Sequence, residues 1–444
     1  MNENPHPKRT PVHVVYGGAD RFTLETPTKF GRIALASMES YTQDFVEFAR
    51  VFGLRGSEDL PHWPGAVTEL RAAANAKPEK LREVNFPAWF AWNIYRKTVE
   101  KLEQEPVEDF RIDFEDGYGF RSDEEEDNHA IAASNELASA FAEGNITAFS
   151  GFRIKSLSPE THARALRTLE RFLGNFLDRT SGRVPEDFVV TLPKVSARAQ
   201  VAGLCERLAS IESERGLPEN SIGVELMIET PEALIGPDGR IAVRELVDAA
   251  EGRCTSVHFG AYDYTAALGI SATYQDIRHP ACNFARQIML AALAGTGVRM
   301  VDSVTTVMPV PLHKGDPLTE SQRVENKGAM HSAWLRHFQN VTASMADGFY
   351  QSWDLHPNQL VARYAGVYAF FLSEFDSQAA RLRGYVAKAT KATLTGNTFD
   401  DAASVAGLVN FFDRGVACGA FDEKNVNAAI GARMDEIRLS FPPA

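Results

Sequence analysis

Two stretches of the chain each have the pattern of an apolar strand that ends in a carboxylate and is followed at once by a helix start. The first is SIGVELMIETP, Ser221 to Pro231, which carries Glu229; the second is TSVHFGAYDYTAALG, Thr255 to Gly269, which carries Asp263. If the two strands are parallel in one sheet, both acids lie at its C-terminal edge, where α/β folds place their chemistry. Two carboxylates with no cysteine or histidine immediately beside them are typical ligands of a hard cation such as Mg²⁺.

Six further strand-like runs alternate with helical stretches along the chain. They are PVHVVY (11–16), DFRIDFED (109–116), ITAFSGFRIK (146–155), DFVVTLPK (187–194), a run over 298–308 and a short one at 353–356. Eight strands alternating with helices favour a (β/α)8 TIM barrel over an open doubly wound sheet. Helices are expected over 40–52, 88–105, 162–177, 197–216, 244–252, 276–294 and 320–345.

The segment 22–107 is too long for one barrel connection, which takes about 30 residues. Its spacing of apolar residues is helical, so it predicts a helical insertion after the first strand that serves as a lid or an oligomer contact. The C-terminal part is also helical, with pieces over 399–415 and 425–439. The expected organisation is a barrel domain over 1–360, including the insertion, and a helical C-terminal extension over 361–444.

Charge and composition exclude several classes of partner. Lys and Arg total 46 against 59 Asp and Glu, a net charge of −13, and no run of basic residues offers a patch for phosphate backbones, so nucleic acid is not expected. No apolar stretch approaches the roughly 20 residues of a membrane helix, and the N-terminus lacks the apolar core of a secretory signal. We therefore expect no membrane partner and a cytoplasmic location. The four separated cysteines fit buried thiols in a reducing compartment.

The acidic run SDEEED, Ser122 to Asp127, has a structural explanation. Ser122 can cap the following helix, and the acids then occupy its first turn, where the helix dipole favours negative charge. Similarly, His13 and His258 lie inside apolar strands and are expected in the core. His356, before a proline at a strand end, is expected to be packed and hydrogen-bonded.

The remaining charged residues at strand ends converge on one barrel mouth if the barrel prediction holds. Buried or partly buried charges must be paired or must coordinate a metal, so several strands ending in charge indicate a site. The residues collected there are Asp113, Glu115, Asp116, Arg153, Lys194, Glu229, Asp263 and His356.

Several motifs among these strands resemble the citrate lyase β-subunit family, part of the wider group of HpcH/HpaI-type aldolases with phosphoenolpyruvate-mutase-like barrels. IDFEDGYG resembles that family's LDLEDAV signature, and GFRIK its arginine strand. LPK resembles its fourth strand, IET its metal glutamate, FGAYD its G-x-x-D metal aspartate, and DLHPNQ its I-H-P-x-Q element. The matches occur in the family's order over residues 109–360. The aldolases of the wider group have a histidine where this chain has Asp116, which favours the citrate-lyase-like branch.

The resemblance implies roles for particular residues. Glu229 and Asp263 would bind Mg²⁺, with Mn²⁺ as the alternative ion, and Arg153 would hold an oxygen of a 2-oxo acid. Gly260 and Ala261 of the FGAYD motif would contact the substrate. The cation and Arg153 would stabilise the negative charge that develops as a carbon–carbon bond breaks or forms.

Two acids compete for the role of general base. Asp116 is the first candidate and Glu115 the second, because neighbouring carboxylates near a cation can be tuned in opposite directions. Lys194 would be the nucleophile of a Schiff-base mechanism, but the metal makes an imine unnecessary. A structural ion pair is the favoured role of Lys194.

The function predicted from these features is a metal-dependent carbon–carbon lyase, or aldolase, acting on a small 2-oxo acid or its aldol or Claisen adduct. One alternative is a condensation that resembles malate synthase or malyl-CoA lyase and uses a coenzyme A thioester. The other is a barrel that binds a metabolite without catalysis. Because the resembled families form trimers or hexamers, a homo-oligomer is expected.

Overall fold

Eight parallel strands close into a barrel in sequence order, and the last strand pairs with the first. The computed structural model describes residues 9–391 and 402–440. The strands are β1 (His13–Gly18), β2 (Asp109–Asp113), β3 (Phe149–Arg153), β4 (Val189–Leu192), β5 (Gly223–Ile228), β6 (Cys254–Phe259), β7 (Arg299–Val304) and β8 (Gln351–Asp354). The (β/α)8 barrel expected from the sequence is confirmed.

The strands are buried on both faces, as parallel strands of a barrel must be. Every residue of β2, β3, β4 and β5 is buried. Strands β3 and β4 approach so closely that a Cβ at Gly151 would lie 2.1 Å from the carbonyl oxygen of Val189. A glycine is therefore required at this position for the strands to pair in this register.

The described residues contain seventeen α-helices. Those up to the fourth strand are α1 (Thr26–Tyr41), α2 (Phe45–Val51), α3 (Pro64–Ala76), α4 (Pro78–Val84), α5 (Phe86–Gln104), α6 (Asp123–Glu143) and α7 (His162–Thr180). The others are α8 (Arg198–Arg215), α9 (Pro231–Leu234), α10 (Ala242–Asp248), α11 (Ala261–Ala267), α12 (Pro280–Leu293), α13 (Glu320–Ala346), α14 (Gln359–Lys391), α15 (Ala402–Ala417), α16 (Glu423–Ile430) and α17 (Met434–Ser440).

The start of α6 shows how local sequence sets a helix boundary. Ser122 accepts a hydrogen bond from the backbone N–H of Glu125, and the Glu125 side chain accepts one from the backbone N–H of Ser122. This reciprocal capping box satisfies two N–H groups that have no partner within the helix. The structural explanation of the acidic run is thus confirmed.

The chain divides into two compact units. One comprises residues 13–38 and 102–360 and contains the barrel. The other is helical and comprises the described residues within 1–12, 39–101 and 361–444. The division expected from the sequence kept the insertion 22–107 with the barrel domain, whereas by compactness most of that insertion groups with the C-terminal helices.

Two helices expected from periodicity are each interrupted. The helix expected over 425–439 is α16 and α17, because Gly431 adopts a left-handed conformation with φ of 71° and ends the first of them. The helix expected over 40–52 is the end of α1 followed by α2, since Asp44 caps a new helix start with its side chain. Residues 399–401 of another expected helix lie outside the described residues. Among the residues that are described, no helix is long and apolar enough to cross a membrane.

Candidate active site

Glu229 follows β5 directly and points into the C-terminal mouth of the barrel, where it is only 2% exposed. Its Oε1 accepts a 2.6 Å hydrogen bond from the backbone N–H of Lys194, at the end of β4. Its other side packs against Gly260, where a Cβ would lie 2.5 Å from Cβ and 2.7 Å from Oε2 of Glu229. The absence of a side chain at Gly260 is what makes room for this carboxylate.

Asp263 lies in the first turn of α11, just after β6, and its side chain is exposed. Burial raises the pKa of Glu229 to about 8, and the negative charge of Asp263 contributes to that rise. The charge of Asp263 thus acts on the carboxyl of Glu229, so the two side chains lie within electrostatic range. The two acids that the sequence assigned to a metal follow the neighbouring strands β5 and β6 at the mouth of the barrel.

Arg153 is the last residue of β3 and lies directly opposite Asp113, the last residue of β2, in the register of the two strands. Its Nε and Nη2 donate to the two oxygens of Asp113 at 2.7 and 2.6 Å, a bidentate pair. Its guanidinium carbon lies 4.8 Å from the centre of the Tyr16 ring. Asp113 and Tyr16 thus hold the guanidinium in one orientation.

The remaining edge of that guanidinium, Nη1, faces the two acids proposed as bases. It lies 3.2 Å from Oε2 of Glu115 and 3.7 Å from Oδ2 of Asp116. The ammonium of Lys194 forms an ion pair with Glu115 and lies 3.1 Å from Oδ1 of Asp116. The ion-pair role expected for Lys194 is confirmed, and these acids raise its pKa above the ordinary value, which disfavours the neutral amine an imine requires.

Glu115 and Asp116 differ in their protonation equilibria. Burial raises the pKa of Glu115, and the neighbouring charge of Asp116 adds to the rise, although Arg153 opposes it. Burial acts in the same direction on Asp116, but Arg153 and Lys194 outweigh it, so the pKa of Asp116 is lowered. The two carboxylates are tuned in opposite directions, with Glu115 as the better proton acceptor near neutral pH.

The two residues expected to contact substrate, Gly260 and Ala261, direct their backbone N–H groups to protein acceptors. Gly260 donates to the carbonyl of Ile228 at 3.0 Å, and Ala261 donates to Oγ of Ser303, also at 3.0 Å. At this turn, the structure shows that the backbone of Gly260 lies close against the side chain of Glu229.

A polar network beneath the mouth was not anticipated from the sequence. Glu225, fully buried in β5, accepts from Nε and Nη2 of Arg111 at 3.1 and 2.8 Å. His258 places Nε2 2.8 Å from Glu225 and Nδ1 3.1 Å from the hydroxyl of Tyr16. Thr191 and Ser256 also donate to Glu225, at 2.7 and 2.6 Å. The alternation of charged and apolar residues in DFRID was the signal that could have indicated inward-facing charges.

The strand-end histidine has the packed role expected for it. Nδ1 of His356 accepts a 3.1 Å hydrogen bond from the backbone N–H of Asn358. Burial lowers the pKa of His356, so the imidazole stays neutral and serves as a local acceptor.

The charges at the mouth favour a divalent cation. Five carboxylates face two cationic side chains, which leaves an excess of three negative charges when all are ionised; the residues are Asp113, Glu115, Asp116, Glu229, Asp263, Arg153 and Lys194. A buried carboxylate beside another is unfavourable unless it is protonated or paired with a cation. Oxygen donors suit Mg²⁺.

The donor set at the mouth is small. Within the described ranges, no group of three or more His, Cys, Asp or Glu side chains is arranged to hold a metal. Two protein carboxylates would leave other coordination positions to water and substrate, a common arrangement for Mg²⁺. In chemical type the carboxylates of Glu229 and Asp263 fit a divalent cation, but within the described residues they do not form a complete protein ligand set.

The fold and the charged mouth define the chain as a (β/α)8 barrel with an acidic, arginine-containing C-terminal mouth. The chain belongs to the family described as Domain of unknown function (DUF6986), whose model matches residues 4–441. No curated protein matches the sequence significantly.

Several solved structures are similar to this chain. A citrate lyase from Burkholderia xenovorans LB400 is 21% identical with a TM-score of 0.54, over 76% of this chain and 91% of that one. A Haloferax volcanii malate synthase with glyoxylate is 14% identical with a TM-score of 0.45, over 99% of both chains. An HpcH/HpaI aldolase from Desulfitobacterium hafniense DCB-2 is 14% identical with a TM-score of 0.33, over 69% of this chain and 90% of that one. The citrate lyase likeness confirms the resemblance at the level of the fold.

Proposed function

We propose that the chain is a Mg²⁺-dependent carbon–carbon lyase that breaks or forms a bond to a small 2-oxo acid. The observation that carries this proposal is the buried carboxyl of Glu229, whose pKa is raised to about 8 by burial and by Asp263. That pair lies at the barrel mouth together with Arg153 and Lys194, whose charges act on Glu229 in the opposite direction. Acids with strongly perturbed pKa values in a cleft are characteristic of functional sites.

Glu229 and Asp263 would hold the cation, Mg²⁺ or alternatively Mn²⁺. When bound, the cation would polarise the keto oxygen of the substrate and stabilise developing negative charge. The excess of negative charge at the mouth would repel a 2-oxo acid anion in the metal-free protein. We therefore expect the cation to bind before the acid.

Arg153 would orient the substrate. Asp113 occupies its Nε and Nη2, so the Nη1 edge is the part of the guanidinium directed toward the mouth. A donor held in place before the reaction costs no reorganisation during it, which is the basis of electrostatic stabilisation in active sites.

Glu115 would accept or return the proton of the reaction, and Asp116 would remain ionised. The raised pKa of Glu115 supports this assignment over Asp116, whose pKa is lowered. A base works best when its pKa lies near the working pH.

The proposal is tested with purified protein, Mg²⁺ and two assays: cleavage of 4-hydroxy-2-oxo acids, and exchange of the methyl protons of pyruvate followed by NMR. The Glu229→Gln variant should lose both, and Glu232→Gln, an exposed glutamate three residues further on, should retain both. If wild-type protein shows neither cleavage nor exchange, the aldol proposal fails.

Two further measurements separate the alternative functions. A rate that depends on coenzyme A would favour the thioester condensation. A 2-oxo acid that binds in calorimetry without metal, and binds unchanged to Glu229→Gln, would favour a barrel that binds a metabolite without catalysis.

A further inference from the structure

Lys155 is a buried cation two residues beyond Arg153 in the motif GFRIK, and its side chain does not join the charges at the mouth. The residue is 8% exposed. Its Nζ donates a 2.6 Å hydrogen bond to the carbonyl oxygen of Phe114 and lies 3.1 Å from Oε2 of Glu126. Glu126 is fully buried in α6.

Phe114 belongs to the peptide unit that immediately precedes Glu115. The two ends of that unit are held separately: its carbonyl accepts from Lys155, and its N–H, that of Glu115, donates to Oδ1 of Asp113 at 3.0 Å. Asp113 is in turn held by Arg153. The orientation of one peptide plane is therefore controlled by two residues near the end of β3.

This peptide plane determines where the side chain of Glu115 points. The torsion angles on either side of a peptide unit set the direction of the next Cα–Cβ bond, and the unit itself is rigid. A rotation of the plane would move the carboxylate of Glu115 away from Arg153 Nη1, which lies 3.2 Å from it, and away from its ion pair with Lys194.

Glu126, the ion-pair partner of Lys155, is itself held by two other side chains. Thr168 donates to Oε1 of Glu126 at 2.7 Å, and Nε of Arg164 lies 3.3 Å from the same oxygen. Replacing a buried ion pair by apolar residues of similar volume is often neutral or stabilising. Stability alone therefore does not account for a charged pair at this point.

We infer that Lys155, supported by Glu126, is a positioning residue that fixes the peptide plane before Glu115 and so aims the proposed base at the mouth. The inference rests on the proposed function and assigns a role to a residue that does not touch the substrate. Since a displacement of about 1 Å can cost roughly 100-fold in rate, the expected effect is on the chemical step rather than on binding.

The test compares Lys155→Met/Glu126→Gln with Glu126→Gln alone. The double variant avoids leaving a buried carboxylate without its lysine, and the single variant keeps the donor to Phe114. Relative to the single variant, kcat should fall about 10- to 100-fold while KM and the Mg²⁺ dissociation constant stay within about threefold. The metal ligands should be unaffected because they lie after other strands.

Two measurements address the position of the loop directly. Amide hydrogen exchange over residues 113–119 should be at least about tenfold faster in the double variant, and Lys155→Arg, which retains a donor, should restore slow exchange and most of kcat. Equal kcat in the double and single variants, or unchanged exchange, would overturn the inference. If wild-type protein shows no lyase activity, the proposed function fails on that assay alone, and the exchange comparison still decides whether Lys155 holds the loop.

Discussion

The backbone N–H of Lys194 donates a 2.6 Å hydrogen bond to Oε1 of Glu229, while the ammonium of the same lysine pairs with Glu115. Lys194 has φ of 51°, in the left-handed region that residues other than glycine rarely adopt. Such a conformation persists only when its surroundings impose it and is frequent at functional sites. A single residue, Lys194, therefore links the candidate metal ligand Glu229 to the candidate base Glu115.

The affinity for Mg²⁺ should depend on pH because Glu229 must lose its proton before it can bind a cation. With the pKa of Glu229 at about 8, the apparent association constant should be roughly tenfold lower at pH 7 than at pH 9. Calorimetry in buffers of different ionisation enthalpy should detect about one proton released near pH 7.

Variants of the two ligands test that interpretation. Glu229→Gln should abolish both the pH dependence and most of the affinity, and Asp263→Asn should weaken binding. An affinity that is the same at pH 6 and pH 9 would show that Glu229 is not a ligand.

The stability of the metal-free protein should also report on Glu229. The ordinary pKa of a glutamate is 4.5, whereas the pKa of Glu229 in the folded protein is about 8, so the folded state retains a proton that the unfolded chain releases. The stabilisation of the folded state by this retained proton is fully present below pH 4.5 and is lost as the pH rises through 8. In EDTA at pH 9, Glu229→Gln should exceed wild type by about 1–3 kcal/mol in unfolding free energy.

Urea unfolding at pH 5, 7 and 9 measures this difference. Excess Mg²⁺ should reverse the order of the two proteins, because only wild type binds the ion. Glu232→Gln should track wild type throughout. A difference between wild type and Glu229→Gln that is constant from pH 5 to pH 9 would contradict the assigned burial of this carboxyl.

Gly260→Ala should disable the site without unfolding the barrel. The added Cβ would lie 2.5 Å from Cβ of Glu229 and 2.7 Å from its Oε2, so the glutamate must shift away from the mouth. Mg²⁺ affinity should fall at least about tenfold, since coordination tolerates only small changes in ligand position.

Gly203→Ala is the matched control, because a Cβ there meets nothing within 4 Å and the residue lies in α8. That variant should bind Mg²⁺ as wild type does and should be as stable or slightly more stable. Normal metal binding by Gly260→Ala would show that Glu229 can bind the ion without its close approach to residue 260.

Replacing the carboxylates of Glu115 and Asp116 by amides, one at a time, should identify which of the two is the general base. Glu115→Gln should lower kcat by about 10²- to 10⁴-fold, the usual contribution of a general base. Asp116→Asn should have the smaller effect, because the lowered pKa of Asp116 makes it a weaker proton acceptor than Glu115.

The pH profile provides a second criterion for the base. The raised pKa of Glu115 predicts that kcat/KM falls as the pH drops through that pKa, which lies above the ordinary glutamate value. With Mg²⁺ kept saturating at every pH, the acid limb should disappear in Glu115→Gln and persist in Asp116→Asn. The opposite result would assign the base to Asp116.

Much of the barrel could be read from the sequence because its determinants are local. Each strand is a short apolar run, and the turn and helix signals that follow it lie within a few residues, as at Ser122. The acids at strand ends could also be placed at one edge without coordinates, since parallel strands present their C-terminal ends on the same side. The order of the motifs from IDFED to DLHPNQ pointed to the same fold that the citrate lyase structure shares.

Two helix boundaries were predicted wrongly, because the periodicity of apolar residues does not report where the backbone leaves the helical conformation. The helices expected over 40–52 and 425–439 keep a helical apolar pattern across a break, and a single backbone choice at Asp44 or Gly431 ends the run. The compact helical unit combines a segment that ends at residue 101 with one that begins at residue 361, 260 positions later. No local pattern specifies which distant apolar face a helix will cover.

The sequence by itself determined the alternation of strands and helices, and with it the set of charged residues that reach the barrel mouth. Only the tertiary structure decided which of those charges pair: Arg153 with Asp113, Lys194 with Glu115, and Lys155 with the carbonyl before the proposed base. The reason is that periodicity sets the face on which a side chain lies, whereas distance, burial and hence pKa depend on strand register and on neighbours far away in the chain.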